Sequence, residues 1–251
     1  MASTPEIDPN FPYALDRPAQ ARRMAGIGMG LGVATLVGVI VVPGAFLGAR
    51  GLVVLALLLA CLTALVVAAG MFRTSKHTKI AATDRLLNGL DLRGDEDALD
   101  LGCGAGLLCA GLAVRLPGGS VTGVDAWVES QLQPTGKALA KKTLASAGVR
   151  GVALRTGTVR ELPVADASVD LAVSRDVLSL LPSAVARTEA VEQLERVVRP
   201  GGRVALLEPA ATGQLVRDLR AHGFDDVRRS GRWWSLMPPA RLVTAVRRDD
   251  A

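Results

Sequence analysis

Chemistry is concentrated in one run of the sequence, Asp100-Leu-Gly-Cys-Gly-Ala-Gly106, and in Asp125, which closes the next apolar run. Glycines at 102, 104 and 106 remove three side chains from one short turn, so the backbone there can approach a ligand closely and take up conformations other residues resist. A carboxylate about 20 residues further on, at the end of a second strand, is placed to accept hydrogen bonds from both hydroxyls of a ribose. Turn and carboxylate together describe a site for a nucleotide-like ligand. The spacing is G-x-G-x-G, with Leu107 after Gly106, and departs from the G-x-G-x-x-G turn of dinucleotide binders. That departure counts against a nicotinamide oxidoreductase.

Such a turn works at the carboxyl end of a parallel strand, so the flanking elements must supply a sheet. Short β-type runs are expected at 98–101, 120–124, 152–154, 169–174 and 203–207, with helical patterns between them, notably 135–147 and 187–198. This alternation argues an α/β fold with a parallel sheet covered on both faces. Arg199-Pro-Gly-Gly202 reads as a helix stop before the next strand. A helix over 214–222 and two closing strands at 224–229 and 242–247 complete the pattern. Between those strands Trp233, Trp234, Met237, Pro238 and Pro239 form an apolar loop, suited to covering an acceptor, to a membrane interface or to ordinary packing.

The N-terminal part reads differently. Residues 1–23 hold Pro5, Pro9, Pro12 and Pro18 among polar residues and suggest a flexible arm. No charged residue occurs over 24–49 or over 51–72, and each stretch meets the roughly 20 apolar residues a membrane-spanning helix needs. Pro43, Gly44 and Arg50 mark the turn of a transmembrane hairpin over 24–72. Arg17, Arg22 and Arg23 before it, and Arg73, Lys76, Lys79 and Arg85 after it, place both termini and the following domain on the cytoplasmic side of a cell membrane. Gly26, Gly28, Gly30 and Gly32 allow close helix approach, first to the second helix of the hairpin and otherwise to a second copy of the chain in a homodimer. Residues 73–90 then form a juxtamembrane linker and entry helix, and 91–251 the α/β domain.

Composition narrows the function classes. The net charge is +5, but the basic residues are scattered and flank the apolar stretches, with no aromatic-interleaved basic face, which argues against nucleic acid. Cys61, Cys103 and Cys109 show neither metal-ligand spacing nor an even disulfide framework, and suit reduced thiols in the cytoplasm. His77 and His222 are the only histidines, so a His-rich metal site is excluded.

Four ordered motifs carry a family resemblance: Ala98-Leu-Asp-Leu-Gly-Cys-Gly-Ala-Gly106, Val121-Thr-Gly-Val-Asp125, Glu161-Leu-Pro-Val-Ala-Asp-Ala-Ser-Val-Asp170 and Arg199-Pro-Gly-Gly-Arg-Val-Ala-Leu-Leu-Glu-Pro209. They resemble the motifs of class I S-adenosylmethionine-dependent methyltransferases over about 80–248. The stretch from Ser75 to Leu87, with Asp125-Ala-Trp127, further resembles a membrane-tethered bacterial branch related to the quinone-methylating group. The resemblance implies a Rossmann-like sheet with an antiparallel closing strand. It implies that Asp100, Gly102, Cys103, Gly104 and Gly106 cradle the methionine portion of S-adenosylmethionine, that Asp125 holds the ribose, and that Ala126 and Trp127 flank the adenine. Ser174 and Arg175 would line the methyl-bearing end.

Two departures stand out. Thr158 occupies a position where relatives carry an acid for the adenine amino group, so backbone contacts from Thr158 and Val159 would substitute. Ser179 stands near a position where relatives often carry a His, leaving Asp176 or Glu208 as proton acceptors should one be required. No metal and no covalent intermediate are needed, because a sulfonium methyl is already electrophilic and the protein's task is alignment. The expected function is methyl transfer to a small, lipophilic acceptor at a bilayer. The alternative from another class is a S-adenosylmethionine-binding regulator or membrane scaffold with little turnover.

Overall fold

The computed structural model describes residues 26–30, 32–33, 35, 49–73, 78–128, 136–236 and 238–249. The expected arm over 1–23, the hairpin turn at Pro43 and Gly44, and Met237 lie outside the described residues. The described residues fall into two compact units, one holding 26–73 and the other the remainder.

In the larger unit, seven strands form one sheet in the order β3-β2-β1-β4-β5-β7-β6. They are β1 (Asp97–Leu101), β2 (Ser120–Asp125), β3 (Val152–Thr156), β4 (Val169–Arg175), β5 (Val198–Glu208), β6 (Phe224–Arg229) and β7 (Arg241–Arg247). β1 to β5 pair in parallel, while β7 runs antiparallel to both β5 and β6. The central strands are apolar almost throughout because helices cover both faces. On one face Ala98, Leu171, Val173, Ala205 and Leu207 pack with helical residues such as Leu86, Leu87, Leu108, Leu112 and Leu144. On the other, Leu99, Leu101, Ala172, Val204 and Leu206 pack with Ala190, Val191, Leu194, Leu215 and Leu219.

Those helices, with the long helix of the smaller unit counted first as α1 (Ala49–Arg73), are α2 (Lys79–Asn88), α3 (Leu107–Arg115), α4 (Lys137–Ser146), α5 (Ala184–Val197) and α6 (Thr212–Ala221). The expected stop at Arg199–Gly202 is absent as a gap. Helix α5 hands over directly to β5 at Val198, which already pairs with Val169, and the Pro-Gly-Gly step is absorbed as an irregularity in register between Val169 and Leu171. Pro200 lies in the unpaired step between the Val169–Val198 and Leu171–Arg203 pairs, so its missing N–H breaks no ladder bond.

In the smaller unit, residues 26–30, 32–33 and 35 are helical and pack against α1. A Cβ on Gly28 would lie 3.1 Å from Leu65, and one on Gly32 would lie 3.4 Å from Cys61 Sγ. Cys61 Sγ donates to the Gly28 carbonyl at 3.1 Å. Half-buried Val54, Leu57, Cys61 and Ala64 recur at helical spacing along α1, giving it a single packed stripe. The expected transmembrane hairpin is not found. Among the described residues no helix is long and apolar enough to cross a membrane, and the side chains of α1 at 49–50, 53 and 68–73 lie outside the description.

Candidate active site

Strand β1, central in the sheet, delivers Asp100 to its carboxyl end, buried with only 1% of its surface exposed. Its Oδ2 accepts from Cys109 Sγ at 3.2 Å, and its Oδ1 has no partner. Burial, opposed by the Cys109 thiol and the Arg175 guanidinium, pushes this carboxyl up to about 7. The thiol of Cys109, hydrogen-bonded to Cys103 and buried beside Asp100, is itself pushed well above its ordinary range. After Leu101 the chain turns through Gly102, Gly104 and Gly106, all at positive φ. Gly102 also has no room for a side chain, since a Cβ there would lie 2.4 Å from Val177 Cγ2. The turn ends at the first residue of α3, whose leading N–H groups, unpaired within the helix, favour an anion.

The neighbouring strand locks onto this turn. The Val124 carbonyl accepts from Gly102 N at 2.7 Å and Cys103 N at 3.1 Å. Asp125 accepts from Gly104 N through Oδ2 at 3.0 Å and from Trp127 N through Oδ1 at 2.7 Å, so its carboxylate is fixed before any ligand arrives. Trp127, at φ 53°, donates its indole N–H to Thr156 Oγ1 at 3.1 Å. Ala126 and Thr158 are exposed, whereas Val159 is buried in the core, so a contact from Val159 would have to come from its backbone.

Strand β4 supplies the third group. Ser174 and Arg175, being adjacent on a strand, point to opposite faces. Ser174 is fully buried and donates to Glu208 Oε1 at 3.1 Å. Glu208 also accepts from the backbone N–H groups of Val177, Leu178 and Ser179 at 3.0 to 3.1 Å. All four donors hold the turn after β4, and burial, opposed by these donors, pushes the Glu208 carboxyl up. Arg175 lies beneath α2: its Nη1 donates to Thr83 Oγ1 at 2.8 Å and to the Lys79 carbonyl at 3.4 Å. Asp176, at φ 59°, turns back so that Oδ2 stands 3.5 Å from Arg175 Nε. Lys79, the first residue of α2, is 7% exposed. Burial, and next the Arg175 guanidinium, pull its amine down to about 7 against the attraction of Asp176.

Residues 99–206 match the methyltransferase domain family. The sheet order around them, and the seven-stranded frame with β7 reversed, agree with that match. Over that stretch the chain is similar to a methyltransferase domain. An arsenite methyltransferase of Halobacterium salinarum is 35% identical over 126 residues, covering 50% of this chain and 30% of the relative. A ubiquinone/menaquinone biosynthesis C-methyltransferase of Geotalea daltonii is 30% identical over 111 residues, covering 44% of each. The chain therefore spans less than half the length of these relatives. Geranyl diphosphate methyltransferase, solved in complex with S-adenosylmethionine, superposes with a TM-score of 0.55 at 14% identity, over 68% of this chain and 87% of that one.

Within the matched residues, Asp100, Gly102, Cys103, Gly104, Gly106, Asp125, Ala126 and Trp127 come together at the ends of β1 and β2, and Arg175 joins them from β4 on the Asp100 side of the sheet. Ser174 faces the opposite layer. Lys79 and Thr83 belong to the site's surroundings although the sequence placed Lys79 among linker charges; the signal that separates it from them is its burial against Arg175, 96 positions away. The tryptophans of the closing loop divide. Trp233 is buried, with the Arg85 guanidinium 4.3 Å from its ring centre, and Trp234 is exposed beside Arg232.

Proposed function

We propose that this chain transfers a methyl group from S-adenosylmethionine to a small, lipophilic acceptor at a bilayer surface. The observation that carries the reading is the unpartnered Asp100 Oδ1, buried two residues before a glycine turn whose other side is held by Asp125. An orphaned buried carboxylate oxygen is completed by a ligand ammonium, and the α-ammonium of the cofactor's methionine has that charge. Gly102, Cys103, Gly104 and Gly106 would present backbone to the methionine, and the α3 N-terminus would favour its carboxylate. Asp125, already oriented by two backbone donors, keeps lone pairs for the ribose hydroxyls. Ala126 and Trp127 would flank the adenine, with the backbone of Thr158 and Val159 at its edge. Arg175 would stand at the methyl-bearing end.

When bound, the cofactor supplies an electrophilic methyl carbon. The residues of this chain fix the acceptor in line with it and exclude water. The bilayer part of the proposal rests on α1. Leu52, Leu55, Leu58, Leu59, Leu62 and Val66 are 48–70% exposed, an apolar surface of the kind that another apolar phase covers. Within it, the polar side chains of Cys61 and Thr63 are spent on backbone carbonyls at 3.1 and 2.7 Å. Arsenite in the name of one relative, and ubiquinone/menaquinone biosynthesis in that of another, are consistent with a small-molecule substrate here. The test is transfer of label from S-adenosyl[methyl-³H]methionine into the organic phase of a bacterial lipid and quinone extract. The full chain should label it and Asp125→Ala should lose at least about tenfold; cofactor binding with no labelled product would favour a binding regulator instead.

A further inference from the structure

A glycine inside a strand marks a place where something approaches the backbone closely, and Gly123 of β2 is such a place. A Cβ built there would lie 2.7 Å from Cys109 Sγ and 2.9 Å from Cys103 Sγ, so both sulfurs crowd one point beside the strand. Cys103 belongs to the glycine turn, where its N–H donates to the Val124 carbonyl at 3.1 Å and its own carbonyl accepts from Gly106 N at 2.8 Å. Cys109 lies on α3, and its thiol donates to Asp100 Oδ2 at 3.2 Å. Both cysteines are free thiols. Cys109 is fully buried, whereas Cys103, just beyond the end of β1, keeps 6% of its surface exposed. The third cysteine, Cys61, belongs to the smaller unit and donates to the Gly28 carbonyl.

We propose that Cys103 and Cys109 are an oxidation site, where a hydroperoxide joins the two sulfurs in a disulfide that weakens cofactor binding. The effect on the cofactor rests on the methyltransferase reading above; the disulfide itself does not. Cys103, the exposed member, reacts first. Its sulfur bonds to one peroxide oxygen as the O–O bond breaks, and the other oxygen leaves with the thiol proton, as water when the oxidant is hydrogen peroxide. Cys109 then resolves the Cys103 sulfenic acid. Its sulfur forms the S–S bond, its proton passes along the existing hydrogen bond to the Asp100 carboxylate, and the departing hydroxide takes a proton from solvent. The hydrogen bond with Cys103, burial and the Asp100 carboxyl hold the Cys109 thiol well above its ordinary range, which spares it from direct oxidation. Asp100 is left protonated, and the thiol donor that favoured its charged form is gone. A neutral carboxyl offers no counter-charge to the methionine ammonium. The new bond also ties the turn that presents its backbone to the ligand onto α3. Disulfides in a reducing compartment are of this transient, redox-sensing kind.

The experiment treats the detergent-solubilised full chain with a small molar excess of hydrogen peroxide, then maps unreduced tryptic peptides by mass spectrometry and titrates S-adenosylhomocysteine. Residues 94–115 form one tryptic peptide that holds Cys103 and Cys109 and no other cysteine. That peptide should lose two hydrogens in mass, and affinity for S-adenosylhomocysteine should fall at least about tenfold and return with dithiothreitol. Cys109→Ser keeps a donor beside Asp100 and should instead trap the Cys103 sulfenic acid, read as a dimedone adduct on the same peptide. Cys103→Ala should bind S-adenosylhomocysteine equally with and without peroxide. An unchanged mass for residues 94–115, a disulfide-bearing chain that binds S-adenosylhomocysteine at full strength, or a Cys103→Ala chain that peroxide weakens as much as the wild type would each overturn the proposal. A reduced wild-type chain that does not bind S-adenosylhomocysteine would remove the methyltransferase reading and the effect on the cofactor with it, and the peptide mass would still decide the disulfide.

Discussion

At Asp100 the free chain holds a carboxyl whose ionised form lacks a partner for one oxygen, and burial raises it from 3.8 to about 7. The folded state binds this proton more tightly than the unfolded chain does. Stability contributed by the protonated group is therefore complete below about pH 4 and is lost as pH rises through about 7. A shift of that size corresponds to a difference on the order of 4 kcal/mol. Asp100→Asn removes the buried charge and keeps the shape, so it should melt roughly 5 °C or more above the wild type at about pH 8, with the gain shrinking towards about pH 5. The same substitution should cost at least about tenfold in S-adenosylmethionine affinity, because the ammonium loses its counter-charge. Melting curves across pH, paired with cofactor titrations, check both; a variant no more stable at the higher pH would contradict the account of Asp100. Asp100 and Asp125 were legible in the sequence because the glycine turn announces them locally. Lys79 was not, because what makes it special is Arg175, brought to it only by the fold.

At the scale of elements, the turn after β4 depends on Glu208 at the end of β5, which gathers Ser174 Oγ and three successive backbone N–H groups. Sequence reading offered Glu208, with Asp176, as a proton acceptor should one be required. The structure gives that carboxylate a cap's work, and two consequences separate the roles. Glu208→Gln replaces one acceptor oxygen with a donor facing N–H groups, so the chain should lose about 2 to 3 kcal/mol in urea unfolding. A base would instead lower turnover with stability untouched. The strands were legible for a related reason: in a sheet covered on both faces, sequence shows continuous apolar runs between helical periods, as at 169–174. What was not legible was decided by pairing. β5 starts at Val198 because Val169 is there to receive it, and Trp233 is buried where Trp234 is not because Trp233 bridges to Ala240.

Over the whole molecule, composition is divided between two units: one apolar, with helices packed through Gly28 and Gly32, and one an α/β unit whose residues 99–206 match the methyltransferase domain family. The small-residue packing was readable from the glycine spacing, and the choice of α1 as its partner follows from Cys61 and Leu65 meeting those glycines. The bilayer remains the proposed cover for the exposed leucines of α1, and it would hold the acceptor site where lipophilic molecules collect. All of this presupposes that the glycine turn and the two aspartates bind the cofactor. The most direct test is isothermal titration of S-adenosylmethionine and S-adenosylhomocysteine into the detergent-solubilised full chain, with Asp125→Ala alongside. Both ligands should bind with dissociation constants on the order of micromolar, weakened at least about tenfold in Asp125→Ala. A folded wild-type chain that binds neither, or an Asp125→Ala chain that binds both equally well, would contradict it.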